Sequence, residues 1–214
     1  MIRRFQKKAC LFDFDGTLVN SMEELADLGA EVISETYGLS HSEARGSYVR
    51  TSGLPFYGQL EVLFPEDSRN HAASGQFEER KRERYFHHDF FQGAAEIVRY
   101  LRSRKLWTAI SSSNHQRLVE EFLQAKGDLN LDLVLGWRPQ FNKGRDHFLT
   151  VQKTFGITPS DLVFVGDSLH DAETSRGEGI DFIAKSGLFS ADDFRGRFPE
   201  IPVIRGLEEL REFL

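Results

Sequence analysis

The chain has one cysteine in 214 residues, Cys10. A lone thiol excludes an internal disulfide, and its place in an apolar run marks it as a small buried side chain. Basic residues are not in excess. Twenty-seven lysines and arginines face 33 aspartates and glutamates, for a net charge of −6. That balance argues against a nucleic-acid partner, whose phosphates need a basic face. No apolar run approaches the roughly 20 residues of a membrane-spanning helix, so no membrane partner is expected. The start, Met1 to Lys8, is basic, but no long apolar segment follows it as in a secretory signal. A reducing, cytoplasmic setting is the expectation. Internal repeats and low-complexity segments are also missing. What is present is ordinary for a globular protein: 40% hydrophobic and 28% charged residues, with length for one good-sized domain or a core carrying a smaller insert.

The first strong signal is Asp13-Phe14-Asp15-Gly16-Thr17, which follows the apolar run Ala9-Cys10-Leu11-Phe12. The run reads as a short buried strand and Gly16 as the turn that ends it. On a strand, residues i and i+2 point the same way, so Asp13 and Asp15 project together while Phe14 points opposite. Two adjacent carboxylates repel. They need a cation, a shared proton or hydrogen-bond donors, which suggests a metal site, an acid/base pair or a helix cap.

Residues 21 to about 88 hold no convincing strand. Ser21-Met22-Glu23-Glu24 has the spacing of a capping box for a helix through about Tyr37, closed by Gly38. Further helices are predicted near 41–50, 56–63 and 69–88. The charge run from Glu78 to Arg84, which includes Lys81, reads as a solvated helix face. From about residue 90 the pattern alternates. Strands are predicted at 106–110, 131–135, 162–165, 181–184 and 202–204, with helices between them and a terminal helix from Leu207. Ser113 has capping-box spacing for the helix bearing Leu118, Val119, Phe122 and Leu123. Alternating strands and helices imply an α/β fold with a parallel sheet covered on both faces. Ligands in such sheets sit beyond the carboxyl ends of the strands.

Four polar signals follow predicted strands and should meet at one edge: Asp13/Asp15, Ser111, Lys143, and Gly166-Asp167-Ser168-Leu169-His170-Asp171. Asp13 is a candidate nucleophile, since carboxylates form aspartyl phosphates. Asp15 is the candidate acid/base partner. Gly166 allows close backbone approach and Asp167 offers oxygen to Mg²⁺; an N-cap is the alternative. Asp171, one turn on, either touches the metal's surroundings or holds Lys143. Ser111 suits a phosphate oxygen or is simply loop. Lys143 is a cation for Asp13 and a phosphate, or a solvated lysine. His87-His88-Asp89 lacks a ligand set, and Gly177-Glu178-Gly179 lacks the context of a dinucleotide site.

Together these residues resemble the haloacid dehalogenase superfamily in its phosphatase branch. Asp13 to Thr17 match that family's first motif, Ser111 the second, Lys143 the third and Gly166 to Asp171 the fourth, in order. Gly144 stands where relatives commonly have proline. The resemblance implies a Rossmann-like, doubly wound core over 1–19 and 89–214, with an inserted α-helical cap over 20–88. It implies Mg²⁺ held by Asp13, Asp167 and the backbone carbonyl of Asp15, and phosphate transfer rather than dehalogenation because Asp15 is present. Gly16, Thr17 and Ser112 are expected to contact the substrate. The cap resembles those of phosphoglycolate phosphatases and sugar-phosphate mutases, and Arg50-Thr51-Ser52-Gly53-Leu54 resembles its substrate-facing loop, with Arg50 meeting an anionic group. The implied activity is hydrolysis of a small organic phosphate. The rival is a sugar-phosphate mutase, and a non-catalytic metabolite-binding protein stands behind both. A phosphonate-cleaving relative would need a cap lysine, and only Lys81 is available.

Overall fold

The computed structural model describes residues 5–127 and 129–214; residues 1–4, the first half of the basic start, and Asp128 lie outside the described residues. Six strands form one sheet: β1 (Ala9–Phe12), β2 (Trp107–His115), β3 (Leu133–Trp137), β4 (Leu162–Gly166), β5 (Asp181–Lys185) and β6 (Val203–Ile204). Every pairing is parallel and the spatial order is β3-β2-β1-β4-β5-β6. This is a doubly wound, Rossmann-like α/β fold. The strand order reverses between β1 and β4, so the crevice at their carboxyl ends is the natural ligand position.

The sequence makes this sheet because its strands are apolar on both faces. Cys10 and Phe12 of β1 face one core, shared with Ile110, Val163, Val165 and Ile183. Ala9 and Leu11 face the other, with Ala109, Phe164 and Phe182. Helices α5 (Ala94–Ser103) and α6 (Gln116–Lys126) cover the first face; α7 (Arg145–Phe155), α8 (Leu169–Gly177) and α9 (Ala191–Arg197) cover the second. The short helix α10 (Leu210–Phe213) closes the chain against the first core.

Between β1 and β2 the chain runs through α1 (Met22–Tyr37), α2 (His41–Arg50), α3 (Phe56–Leu63) and α4 (Asn70–Arg84). These helices bury an apolar cluster of their own, which includes Leu28, Ile33, Tyr48, Leu60 and Phe77. Phe56 stacks on Phe77 with centroids 4.1 Å apart. The helical segment leaves and rejoins the sheet at adjacent points. Val19 and Phe90 form an antiparallel bridge, and the Asn20 amide donates to the Asp89 carbonyl at 3.0 Å.

Local structure departs from the sequence reading in four places. Ser21 makes no side-chain cap on α1; its hydroxyl donates to Asp15 Oδ1 at 2.5 Å. Ser113 is not a cap either. Strand β2 continues past a register shift to pair His115 with Trp137, so α6 starts only at Gln116, with His115 as its N-cap. The long helix at 69–88 ends at Arg84 and tightens into a 3₁₀ turn over Tyr85–His87. Lys81 is not solvated: it is 5% exposed. It lies on the α4 stripe Phe77-Lys81-Tyr85, whose spacing of four puts all three on the inward face.

Candidate active site

Asp13 follows the last residue of β1 and extends its ladder, its amide donating to the Val165 carbonyl at 2.8 Å. Next to it, Phe14 is fully buried and meets Phe122 edge-on at 5.5 Å. Burying a phenylalanine contributes roughly 1.5–3 kcal/mol, so Phe14 pegs the two flanking aspartates in place. Gly16 makes the turn with φ +75°. A side chain there would put Cβ 2.0 Å from Asp167 Oδ2, so the loop fits against Asp167 only with glycine. Lys185, buried at the end of β5, holds this loop by donating to the Gly16 carbonyl at 3.0 Å.

Asp167 follows Gly166 at the end of β4, beside Asp13. Ser168 caps α8: its Oγ accepts from the Asp171 amide at 3.0 Å and donates to Asp171 Oδ2 at 2.7 Å. The α8 N-terminus favours that acid in its first turn. Carboxylate oxygens of Asp13, Asp167 and Asp171 all lie within 4.8 Å of one another, and all three residues are buried. Lys143 arrives from the loop before α7. Gly144 (φ +98°) starts the helix, and the Asn142 amide donates to Asp146 Oδ2 at 2.8 Å. Lys143 Nζ bridges Asp13 Oδ1 at 2.6 Å and Asp171 Oδ1 at 2.7 Å.

Two lysines, Lys143 and, acting on Asp167 from the end of β5, Lys185, do not balance three buried acids. Burial pushes the Asp13 carboxyl well above its ordinary range, with Lys143 opposing and Asp171 adding to the rise. Asp167 is raised as well, by burial and then by Asp13 and Asp171. For Lys143, burial pulls downward, but Asp13 and Asp171 more than offset it and hold the ammonium charged. The cluster is all oxygen, compact and short of positive charge, which is the donor chemistry of a hard divalent cation. The residues fit such an ion.

Asp15 is only partly buried and sits among neutral donors. Its Oδ1 accepts from Ser21 Oγ at 2.5 Å and Tyr85 Oη at 2.7 Å, and its Oδ2 from Asn114 Nδ2 at 2.6 Å. Asn114 Oδ1 accepts from Lys81 Nζ at 3.0 Å, and Lys81 also pairs with Glu78. A chain of polar contacts thus runs from α4 to Asp15. Tyr85, Asn114, Ser21 and Lys81 were missed from sequence; only the inward stripe of α4 signals any of them.

The remaining predicted residues fall in different places. Ser111 is fully buried, its Oγ 2.9 Å from His147 Nδ1. Burial and the nearby Lys143 push His147 down to about 4, so its ring is neutral near pH 7. Ser112 is buried and accepts the Asn114 amide at 3.0 Å. Thr17 Oγ1 lies 3.4 Å from Asp13 Oδ2. Arg50 is exposed at the end of α2 and donates to Ser47 Oγ at 2.9 Å. It does not reach the cavity above Asp13. That cavity holds about 60 Å³ and is lined from below by Asp13, Asp15, Lys143 and Asp167, from above by Tyr48, Ser52, Gly53, Gln59 and Lys81, among others. Gly53 (φ +101°) presses on the sheet edge, where a side chain would put Cβ 2.5 Å from Ser168 Oγ.

The strand-end acids and the bridging lysine thus lie beneath the helices at one edge of a doubly wound sheet. The chain belongs to the haloacid dehalogenase-like hydrolase family, whose pattern matches residues 10–185, and it is a hydrolase of the phosphatase type. It is 30% identical over 193 residues to a phosphoglycolate phosphatase of Synechococcus elongatus, covering 86% of this chain and 85% of that protein. It is 24% identical over 178 residues to an N-acetylmuramic acid 6-phosphate phosphatase of Pseudomonas putida, covering 80% and 79%. A haloacid dehalogenase-like hydrolase of Streptococcus pneumoniae shares the fold with a TM-score of 0.78 at 19% identity, over 98% of this chain and 99% of that one.

Proposed function

We propose that this protein hydrolyses a small organic phosphate monoester through a phospho-aspartate on Asp13, with Mg²⁺ as cofactor. The observation that carries this reading is the state of Asp13. Its Oδ1 is held by Lys143 at 2.6 Å, while Oδ2 meets, among the described residues, only the distant Thr17 hydroxyl at 3.4 Å, and Asp13 lines the cavity. A carboxylate anchored by one oxygen leaves the other for attack. Oδ2 adds to phosphorus, the ester P–O bond breaks, and the leaving alkoxide takes a proton from Asp15. Water then adds to phosphorus and gives its proton to Asp15. The bond from phosphorus to Asp13 breaks and phosphate departs. Asp13, Asp167 and the Asp15 carbonyl would hold Mg²⁺, whose charge offsets the acids and the phosphate dianion. Ser21, Tyr85 and Asn114 orient Asp15 for both proton transfers, and Lys143 steadies the phosphoryl group.

The helical segment over 20–88 acts as a cap on the core formed by 1–19 and 89–214. The cavity above Asp13 is enclosed by the helices on one side and the sheet edge on the other, which supports a small substrate over a macromolecular one. Lys81, not Arg50, brings an ammonium to the cavity, where it pairs with Glu78, and a second anionic group on the substrate would compete with Glu78 for it. Phosphoglycolate, named in the Synechococcus relative, has that chemistry. A panel of phosphorylated metabolites, assayed for phosphate with Mg²⁺ and with a chelator, tests the reading. Phosphate release from small phospho-acids is expected. Isomerised sugar phosphate without free phosphate would instead show a mutase.

A further inference from the structure

Lys185 is a buried cation that the reaction above does not use. It ends β5 next to Asp167: Ala184 pairs with Gly166 in the β4–β5 register, so the next residues, Lys185 and Asp167, stand side by side. Lys185 is 3% exposed. Its ammonium donates to the Gly16 carbonyl at 3.0 Å and lies 3.5 Å from the centre of the Phe91 ring. Asp167 acts on it through charge alone, opposing the downward pull of burial on its pKa. Burying an ammonium is costly unless its charge and hydrogens are answered. Here the direct partners are a backbone carbonyl and an aromatic face. The ammonium is thus committed to one turn of backbone.

That turn carries Asp15, Gly16 and Thr17. Gly16, at φ +75°, is the residue with the least conformational constraint of its own. Its N–H donates to the Val19 carbonyl at 2.8 Å, and its C=O is held by Lys185. Both peptide planes that meet at Gly16 are therefore fixed by a partner. A trans peptide unit is planar, with C=O and N–H on opposite sides. The Asp15 carbonyl accordingly points away from Val19 and keeps that direction only while Gly16 keeps its own. The same turn lies against Asp167 with no room for a side chain. Phe91 seats the ammonium from behind, and its own amide donates to the Leu18 carbonyl at 2.8 Å.

We propose that Lys185 is a positioning residue for the divalent cation: by holding the Gly16 carbonyl it presets the Asp15 carbonyl and keeps the turn against Asp167. This rests on the Mg²⁺ reading above. The charge of Lys185 and its hydrogen bond act in opposite senses. A cation beside Asp167 repels Mg²⁺, so charge alone would make Lys185 a hindrance to metal binding. A preset ligand makes it a help, on the scale of about 10–100-fold for groups that orient metal ligands. The hydrogen bond to the turn is direct, whereas Asp167 acts only through charge, so positioning outweighs repulsion.

Calorimetric titration of Mg²⁺ into the metal-free protein, without substrate, tests this. Lys185→Met keeps an unbranched apolar chain on Phe91 and removes both the charge and the donor. Its Kd for Mg²⁺ should rise about tenfold, the lower end of that scale. Melting curves of the metal-free proteins verify folding; where Lys185→Met does not fold, Lys185→Leu takes its place with the same expectation. Tighter Mg²⁺ binding by the variant would show that charge alone acts, and would overturn the proposal. Unchanged binding with a lowered metal-free melting temperature would overturn it too, since that is the mark of a residue serving the fold alone. Wild type that binds no Mg²⁺ would overturn the metal reading and the proposal together. Wild-type binding matched by the variant overturns the proposal and leaves the metal reading standing.

Discussion

The sheet edge and the helical segment above it are built by opposite means. At the edge, β1 and β4 are buried on both faces and hold Asp13 and Asp167 on rigid strand ends. Asp13 meets the Lys143 cation there in near-complete burial. The helical segment has a separate apolar cluster and meets the edge through polar contacts, Lys81 to Asn114, Tyr85 and Ser21 to Asp15, Gly53 against Ser168, beside apolar ones in which Tyr85 joins the first core, Val49 packs on the second and Leu188 packs on the helical cluster. Apolar burial is hard to undo locally, whereas polar contacts exchange for water at little net cost. The difference is that the acids are anchored in the sheet, while part of what joins the helices to it is polar and exchangeable with water.

The sharpest way to break the comparison is Asp13→Asn. Turnover should fall by about four orders of magnitude, as for loss of a nucleophile, with the melting temperature little changed. Phosphate label from substrate should appear on wild type and not on the variant. Near-normal turnover would remove Asp13 from the chemistry.

Asp15→Asn should cost about 10²–10³-fold, the scale of general acid/base catalysis. In the first step the loss should be smallest for aryl phosphates, which leave without a proton. If the first step limits the rate and the loss is uniform, the donors around Asp15 serve structure only.

Lys81→Met should raise KM for an anionic substrate about tenfold, on the scale of one charge-assisted contact, and affect a simple aryl phosphate less. Equal effects on both would make Lys81 a tether for Asn114 rather than a reader of substrate.

On stability, the sheet edge should respond to pH in a direction the helices do not. Asp13 and Asp167 have raised values when folded. Above the ordinary aspartate pKa of about 4, the folded chain therefore binds more protons than the unfolded one, and stability falls as pH rises. Chelator-treated protein should melt several degrees lower near pH 7 than near pH 5, since about 1 kcal/mol moves a chain of this size by roughly 2–4 °C. Added Mg²⁺ should restore most of that loss. A flat profile would mean the acids are neutralised in some other way.

The smallest effect is expected from Arg50→Ala: within about twofold in kcat/KM for every substrate, because an exposed side chain bonded to Ser47 has little to lose. A selective loss would show that the cap rearranges to bring Arg50 inward.

The fold was legible because its signals are local. Apolar runs of four or five residues, each closed by a turn and followed by an amphipathic helix, specify a parallel sheet without knowledge of contacts. The meeting of Asp13, Asp167 and Lys143 was legible for the same reason: each stands just past a strand end, and the sheet collects such residues on one edge. The surroundings of Asp15 were not. Tyr85 lies 70 residues from it in sequence and Asn114 lies 99, and no local period carries such pairings. Lys81 was misread because its neighbours are charged; its position relative to Phe77 and Tyr85 decides its burial, and the composition of the run does not. Ser113 failed as a cap because β3 keeps β2 extended through it.

The bridge between Val19 and Phe90 has a consequence for how such a protein changes its diet. The helical segment begins and ends at neighbouring residues, Asn20 and Asp89, joined across one hydrogen bond. Such a gap is spanned by a short turn or by about 70 residues at closure costs that differ by only about 2–3 kcal/mol, because closure entropy grows slowly with loop length. The segment is therefore a module on a single socket. If that segment reads the substrate as proposed, another helical cassette fitted at Asn20 and Asp89 would choose a different one, while the acids beneath it would keep their places on the strands.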